Sequence, residues 1–150
     1  MRSQGKTLAV AESCTGGLIS NRMTNIPGSS QYFERGVVSY SNRSKTELLG
    51  VPPSMLERFG AVSAEVAEAM ALGIRRASGT DLGLSVTGIA GPEGGTPEKP
   101  VGLVYIALAW EGGVKSKEYR FFEDRLANKR RSSLLALEMV RRHLLGLPVS

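Results

Sequence analysis

The sequence has little of several residue types that mark particular classes of protein. Its 150 residues contain one cysteine, Cys14, and one histidine, His143. A lone cysteine excludes an internal disulfide framework and is typical of a reducing compartment, so we expect a cytoplasmic protein. One cysteine and one histidine are too few for an ordinary structural zinc site. We therefore expect no metal and no other cofactor.

Long apolar runs are missing as well. A membrane-spanning helix needs roughly 18 consecutive apolar residues, and no such run occurs. The N-terminal stretch MRSQGKTLAV has a basic start but only a very short apolar segment, so we expect neither a signal peptide nor a membrane partner. The length and the ordinary globular composition predict a single domain over residues 1–150.

Basic residues outnumber acidic ones, and the formal net charge is +5. The excess lies in NKRR at 128–131 and in VRRHLL at 140–145. Basic clusters can bind nucleic acid. Here acidic and apolar residues interrupt them in a helical pattern, which favours a solvated helix face. No basic stretch is interleaved with aromatic residues, so we expect no direct nucleic-acid binding.

Hydrophobic periodicity predicts alternating strands and helices. Strands are predicted at 7–11, 32–41, 82–90, 101–110 and 114–122, the last two as an antiparallel hairpin. Helices are predicted at 16–25, 42–50, 63–78 and 124–145. The last helix is expected to bury Leu134, Leu137, Leu144 and either Met139 or Val140. The fold class is α/β, a three-layer α/β/α domain with a mixed, mostly parallel sheet of about five strands and a C-terminal hairpin plus helix.

The stretch AESCTGG at 11–17 joins the first predicted strand to the first predicted helix. In α/β sheets, ligands bind beyond the carboxyl ends of the strands, where the next helix presents free N–H groups. Ser13 would face such a ligand, and Gly16 and Gly17 would let it approach the backbone. An equally good alternative is structural, with Ser13 or Thr15 capping the helix and the glycines permitting close packing.

A catalytic serine needs a base. His143 lies near the end of the last helix in an apolar and basic context, which disfavours a Ser–His–Asp arrangement. A lysine can serve as that base when desolvation or positively charged neighbours lower its pKa. Tyr40 and Lys45 reach the sheet edge of the serine if the first two strands are neighbours. Taken singly, Tyr40 is a half-buried strand residue, and Lys45 is a solvated lysine paired with Glu47 or Glu12.

The segment TGIAGPEGGTPEKPVG at 87–102 separates two predicted strands. It is too polar and glycine-rich for core and long for a simple connection, which favours a functional loop. It contains neither a P-loop pattern nor G-x-G-x-x-G. Together with the two preceding stretches it predicts a site for a small anionic or amide-bearing ligand.

Four segments carry a resemblance to a known family: AVAESCTGGLIS, GVVSYSNRSKTELLGV, VSAEVAEAMALGIR and SVTGIAGPEGGTPEKPVGLVYIAL. In this order, over nearly the whole chain, they resemble the CinA C-terminal domain, the nicotinamide-nucleotide amidohydrolase (PncC) family. The resemblance implies hydrolysis of the carboxamide of nicotinamide mononucleotide to nicotinic acid mononucleotide and ammonia, in pyridine-nucleotide recycling. By motif, it implies that the catalytic serine, tyrosine and lysine are Ser13, Tyr40 and Lys45.

The mechanism that the resemblance implies is acyl transfer. Neutral Lys45 would take the proton of Ser13, with Tyr40 relaying or orienting it. The backbone amides of Thr15, Gly16 and Gly17 are expected to hold the oxyanion. Glu12 is expected to tune or position Lys45.

Further substrate contacts are expected from the loop at Thr87 to Gly95 and from the last helix. The loop residues are Thr87, Gly88 and Gly91. Family members commonly carry a GDR turn before the last helix and another arginine four residues later. This chain has Glu123-Asp124-Arg125 and Lys129 there. Arg125 is therefore a substrate-binding candidate, and Arg130 is a candidate to replace the second arginine.

The resemblance also leaves alternatives open. One is a binding module of a competence- or damage-inducible CinA-type protein that holds a pyridine nucleotide or a partner without turnover. Another is a hydrolase for a different amide. Only six residues precede Thr7, where the family usually has a helix, so the chain is either a natural short form or a domain excised from a longer parent with an N-terminal CinA domain. We expect a homo-oligomer, since such sites are often completed across a subunit boundary.

Overall fold

The structure is a computed structural model that describes residues 1–149. The strands are β1 (Leu8–Glu12), β2 (Phe33–Val38), β3 (Leu82–Gly88), β4 (Leu103–Trp110) and β5 (Gly113–Arg120). The α-helices are α1 (Leu18–Thr24), α2 (Asn42–Leu49), α3 (Pro53–Phe59), α4 (Ala64–Ser78) and α5 (Arg125–Leu144). Two short 3-10 turns lie at Arg2–Gln4 and Ser29–Gln31.

The five strands form one mixed sheet in the order β2-β1-β3-β4-β5. β1 pairs in parallel with β2 and β3, whereas the β3–β4 and β4–β5 pairs are antiparallel. The expected hairpin and five-stranded mixed sheet are confirmed. Only β4 runs opposite to the other four strands, because no crossover helix lies between β3 and β4 or between β4 and β5. The carboxyl ends of β1, β2 and β3 meet at one edge.

Helices cover both faces of the sheet, which confirms the three layers. α1 and α5 pack on one face, and α4 covers the other with α2 and α3 beside it. β1 is fully buried between them. Its alternate residues divide between the faces, so that Leu8 and Val10 join the core beneath α1 and α5, while Ala9 and Ala11 join the core beneath α4.

Small residues bring α4 close to its neighbours. A side chain at Gly83 of β3 would overlap the Ala71 carbonyl of α4, and one at Gly73 of α4 would overlap the Leu49 carbonyl at the end of α2. Ser63 caps α4 as predicted, with its hydroxyl accepting a hydrogen bond from the Val66 amide at 3.3 Å. These contacts fix α2, which carries Lys45, relative to the sheet.

β2 is shorter than predicted. It ends at Val38, so Tyr40 and Ser41 lie beyond the strand. Ser41 is instead the N-cap of α2, and its hydroxyl accepts a hydrogen bond from the Ser44 amide at 3.0 Å. The Ser44 hydroxyl accepts in return from the Ser41 amide, forming a capping box. This local hydrogen bonding favours a helix start over another strand residue.

The buried face of α5 also differs from the prediction. Met139 and Val140 are both buried, and Leu137 and Leu144 pack at the edge of the core. Leu134, however, is 53% exposed, so its predicted inward orientation is wrong. Small residues face the sheet instead, because α5 packs closely over the core: Ser132, Ser133 and Ala136.

Candidate active site

Ser13 lies directly after β1, where the chain turns toward α1. Its amide donates a hydrogen bond to the Val86 carbonyl of β3, at 3.0 Å, and its own carbonyl accepts one from the Gly16 amide, at 3.1 Å. Gly16 and Gly17 have φ angles of 61° and 98°, which favour glycine. The turn therefore presents Ser13 at the sheet edge with its backbone fixed on both sides.

Lys45 projects from α2 into this edge and is 1% exposed. Its Nζ lies 3.1 Å from the Ser13 Oγ, 2.8 Å from the Ser39 carbonyl oxygen and 3.5 Å from the Tyr40 carbonyl oxygen. Within residues 1–149, no carboxylate lies within 4.0 Å of this nitrogen. The alternative of a solvated lysine paired with Glu47 or Glu12 is therefore wrong.

The surroundings of Lys45 favour an uncharged amine. Burial lowers the pKa of Lys45 below its ordinary value of 10.5, and the opposing influence of Cys14 is smaller. A neutral amine has two N–H groups and one lone pair. The carbonyls of Ser39 and Tyr40 can accept the two N–H groups, which leaves the lone pair for the Ser13 hydroxyl proton. The pair has the arrangement of a nucleophile and its base.

Cys14 follows Ser13 in the chain but differs from it chemically. The thiol is buried, and burial raises its pKa to about 12. A thiol is nucleophilic only as the thiolate. Of the two adjacent side chains, Ser13 is therefore the one equipped for attack.

Glu12 does not position Lys45 as predicted. Its fully buried carboxylate accepts five hydrogen bonds from the start of α1. The donors are the Thr15 hydroxyl, the amides of Gly17 and Ile19, and the amide and hydroxyl of Ser20, at 2.6 to 3.1 Å. A buried carboxylate needs such donors because water no longer solvates it. Glu12 thus holds the turn that carries Ser13.

The same hydrogen bonds change the expected oxyanion donors. The Gly17 amide already donates to Glu12, and the Gly16 amide already donates to the Ser13 carbonyl. An amide with an internal acceptor is not free for a developing oxyanion. Of the three predicted amides, only that of Thr15 has no internal acceptor among residues 1–149, and Thr15 does not line the cavity over Ser13.

Tyr40 and Arg125 meet above Ser13. The Arg125 guanidinium donates from Nη2 to the Tyr40 hydroxyl, at 3.0 Å, and from Nη1 to the Gly91 carbonyl, at 2.7 Å. Tyr40 is 60% exposed. Within residues 1–149, its hydroxyl has no hydrogen bond to Ser13 or Lys45. The structure thus brings the tyrosine to the site but not into the predicted proton relay.

A cavity of about 260 Å³ opens over Ser13 and Lys45. Of the predicted site residues, it is lined by Ser13, Tyr40, Lys45, Thr87, Gly88, Gly91 and Arg125. The Thr87 hydroxyl donates to the Ala61 carbonyl at 2.8 Å and so joins two walls of the cavity. The loop after β3 therefore lies at the site, as predicted.

The remaining predicted contacts lie elsewhere. Thr15, Gly16 and Gly17 line a separate groove of about 350 Å³, together with Lys129 and Arg130 of α5. Glu12 lines neither space, since its carboxylate faces the start of α1. These residues support the Ser13 turn from behind.

Sequence reasoning missed four cavity residues: Cys14, Asn42, Ala61 and Val62. The other lining residues, Ile89, Ala90, Glu93 and Gly94, lie in the loop that is predicted to contact the ligand. Asn42 begins α2, immediately after the Ser41 cap, so recognition of that cap would have pointed to it. Ala61 and Val62 belong to the connection between α3 and α4. Their local sequence contains no catalytic pattern, and only tertiary packing brings them to Ser13.

Residues 1–149 contain no group of three or more histidine, cysteine, aspartate or glutamate side chains arranged to hold a metal ion. No helix in this part of the chain is long and apolar enough to cross a membrane.

Comparison with known proteins identifies the family. The family model of the CinA C-terminal domain matches residues 1–144. The chain belongs to this family. A CinA-like protein of Geotalea uraniireducens is 56% identical over 146 residues, which cover 97% of this chain and 35% of that protein. A putative competence-damage inducible protein of Acetivibrio thermocellus is 55% identical over 141 residues, covering 94% of this chain and 34% of that protein.

Solved structures of CinA proteins share the fold. The competence/damage inducible protein CihA of Agrobacterium tumefaciens has a TM-score of 0.91 at 43% identity, covering 93% of this chain and 86% of that chain. The competence damage-inducible protein A (ComA) of Klebsiella pneumoniae has a TM-score of 0.92 at 31% identity, covering 95% and 89%. The present chain spans about a third of the length of the curated CinA relatives it matches.

Proposed function

We propose that this CinA domain is an amidohydrolase that converts nicotinamide mononucleotide and water to nicotinic acid mononucleotide and ammonia. The observation that carries the proposal is the 3.1 Å contact between Ser13 Oγ and the buried Lys45 Nζ, which has no carboxylate within 4.0 Å among residues 1–149 to keep it charged. Family membership supports the same chemistry, through the family's known activity and through the match of Ser13, Tyr40 and Lys45 to its motifs.

The first half of the reaction forms an acyl-enzyme. Neutral Lys45 takes the hydroxyl proton as Ser13 Oγ attacks the carboxamide carbon. The carbonyl oxygen becomes an oxyanion, which a hydrogen-bond donor in the cavity stabilises; one such donor is typically worth about 3 kcal/mol. The Lys45 ammonium then returns its proton to the amide nitrogen, the C–N bond breaks, and ammonia leaves a nicotinoyl ester on Ser13.

The second half reverses these roles with water. Neutral Lys45 takes a proton from water, and the hydroxide attacks the ester carbon. The C–O bond to Ser13 breaks, and Lys45 returns the proton to the Ser13 oxygen. Arg125, with two neutral oxygen atoms as partners, supplies positive charge for the substrate phosphate. Tyr40 holds this guanidinium and offers its exposed ring to the substrate.

Several wider expectations join the proposal. The site acts in pyridine-nucleotide recycling, in a homo-oligomer, and in a longer CinA parent protein where the chain is part of one. Because the chain spans about a third of its curated relatives, the activity of the whole protein includes what the other regions contribute.

The deciding experiment measures ammonia release from nicotinamide mononucleotide by the purified chain and by Ser13→Ala. Ser30→Ala, at an exposed serine, is the matched control. The proposal expects release by the parent chain and by the control, with loss in Ser13→Ala but retained binding in calorimetry. Equal ammonia release by Ser13→Ala would show that Ser13 is not the nucleophile. If the parent chain binds nicotinamide mononucleotide but releases no ammonia, the result supports a binding module. If it releases ammonia only from other amides, the proposed substrate is wrong.

A further inference from the structure

The cavity over Ser13 contains one acidic side chain, Glu93. It lies in the loop after β3, between Gly91 and Gly94, whose φ angles are 87° and 89°. The Arg125 bond to the Gly91 carbonyl ties this part of the loop to α5. The loop thus brings a carboxylate to the same space as Ser13.

The Glu93 carboxylate is not neutralised within the described chain. Among residues 1–149 it forms no hydrogen bond and lies within 4.0 Å of no cationic side chain. Lys45, at the base of the cavity, has a lowered pKa and is engaged with Ser13 and two carbonyls. Arg125 has only neutral oxygen partners.

Two opposite charges are therefore free to face a ligand in one cavity, a guanidinium from α5 and a carboxylate from the loop. Such a pair complements a molecule that carries both an anionic and a cationic group. The substrate of the proposed function is such a molecule, because its phosphate is an anion and its pyridinium ring is a cation. A neutral aromatic amide has no cationic group to pair with the carboxylate.

We propose that Glu93 is a specificity-determining residue that recognises the positive charge of the substrate's pyridinium ring. The inference rests on the proposed function for the identity of the cation. Glu93 is exposed, so its effect is that of a solvated ion pair, about two- to fivefold in affinity. The effect weakens as salt is added, because salt screens exposed charges.

The test compares two probes that differ in ring charge. Nicotinamide mononucleotide has a cationic ring, and its reduced dihydro form has a neutral ring with the same carboxamide, ribose and phosphate. Dissociation constants for both are measured by calorimetry in Ser13→Ala, alone and combined with Glu93→Gln. Glu98→Gln is the matched control, since Glu98 is an exposed glutamate of the same loop outside the cavity lining.

We expect Glu93→Gln to weaken binding of the cationic probe two- to fivefold more than binding of the neutral one, and Glu98→Gln to show no such selectivity. An equal change for both probes, or the same selectivity in Glu98→Gln, would overturn the inference. So would absence of binding by the cationic probe.

Kinetics of the parent chain separate this inference from the proposed function. If Glu93 recognises the ring, Glu93→Gln raises KM for nicotinamide mononucleotide at nearly constant kcat. A fall in kcat alone would make Glu93 a proton-transfer group and overturn the assignment. If the parent chain binds with this charge selectivity but releases no ammonia, the deamidase proposal fails while the recognition role stands.

Discussion

Two buried ionisable side chains flank Ser13, and their surroundings differ. The Glu12 carboxylate accepts five hydrogen bonds from the start of α1, whereas Lys45 has one hydroxyl and two carbonyl oxygens within 3.5 Å. Neither has an oppositely charged side chain within 4.0 Å among residues 1–149. Both are almost completely buried, so the number and kind of their partners decide what each does.

The comparison separates an ionisable group that stabilises the fold from one that can take part in the chemistry. Donors surround Glu12, and the anion holds the turn 13–17 in place. Lys45 is desolvated without a counter-charge, which lowers its pKa and makes its lone pair available. Ser13 thus lies between a residue that fixes its position and a residue that can take its proton.

The largest effect is expected from Lys45→Met, which removes the base while keeping an apolar side chain of similar length. We expect kcat for ammonia release to fall by roughly a thousandfold or more, as for other nucleophile–base units. The free energy of unfolding should change by only about 1 kcal/mol, since relief of desolvation offsets the lost hydrogen bonds. Rate measurements and urea unfolding test both parts. Lys115→Met, at an exposed lysine, is the control. A fall in kcat of less than tenfold in Lys45→Met would exclude Lys45 as the base.

Glu12→Gln should have the opposite effect, with its main change in the free energy of unfolding. The amide of glutamine cannot accept all five hydrogen bonds, so we expect a loss of about 1 to 3 kcal/mol in the free energy of unfolding. Urea denaturation measures it, with Glu47→Gln as the control at an exposed i,i+4 ion pair with Arg43. If both variants lose the same small amount, the carboxylate of Glu12 is not the support of the turn.

The pH dependence of Lys45 should appear in both activity and stability. Its folded-state pKa is depressed, so kcat/KM should rise with pH as the amine loses its proton and level off below 10.5. The unfolded chain holds this proton more tightly, so stability should also rise with pH between the folded-state pKa and 10.5. Rates and unfolding free energies over that range test the sign. Lys45→Met should lose this contribution to stability; a parent chain that becomes less active as pH rises toward that plateau contradicts the assignment.

The smallest effect is expected from Tyr40→Phe, which removes one acceptor of Arg125 at an exposed position. KM for nicotinamide mononucleotide should rise about two- to fivefold, the range of a single solvent-accessible hydrogen bond, with little change in kcat. Steady-state kinetics measures the split, and Tyr32→Phe is the control at a tyrosine outside the cavity. A hundredfold fall in kcat would return Tyr40 to the proton relay that the family resemblance implies.

Much of the fold could be predicted because the signals are local. The order of strands and helices, the Ser63 cap and the β4–β5 hairpin follow from periodicity and capping over a few residues. The end of β2 could not be placed as well, since apolar and aromatic residues continue to Tyr40 while the Ser41 cap already starts α2. The predicted burial of Leu134 was wrong for another reason: packing against the sheet selects small residues on that face of α5.

In the site, too, local sequence signals were predictable and features set by tertiary packing were not. The motifs selected Ser13 and Lys45, but their 3.1 Å contact depends on β1 pairing in parallel with β2 and on α2 packing against Gly73 of α4. The role of Glu12 was misjudged although its five donors lie within eight residues of it. Opposite charge suggested Lys45 as a partner, whereas a buried carboxylate is satisfied equally well by amide and hydroxyl donors.

The sequence by itself determined the features that depend on neighbours along the chain: the alternation of strands and helices, the glycine turn after Ser13, and the polar loop that contains Glu93. The tertiary structure alone decided which charges are buried, which amides are already occupied, and which side chains share the cavity. The physical reason is that desolvation and hydrogen-bond satisfaction depend on atoms far apart in the chain. Residues 13, 45, 93 and 125 become one candidate site only when the sheet and its helices bring them together.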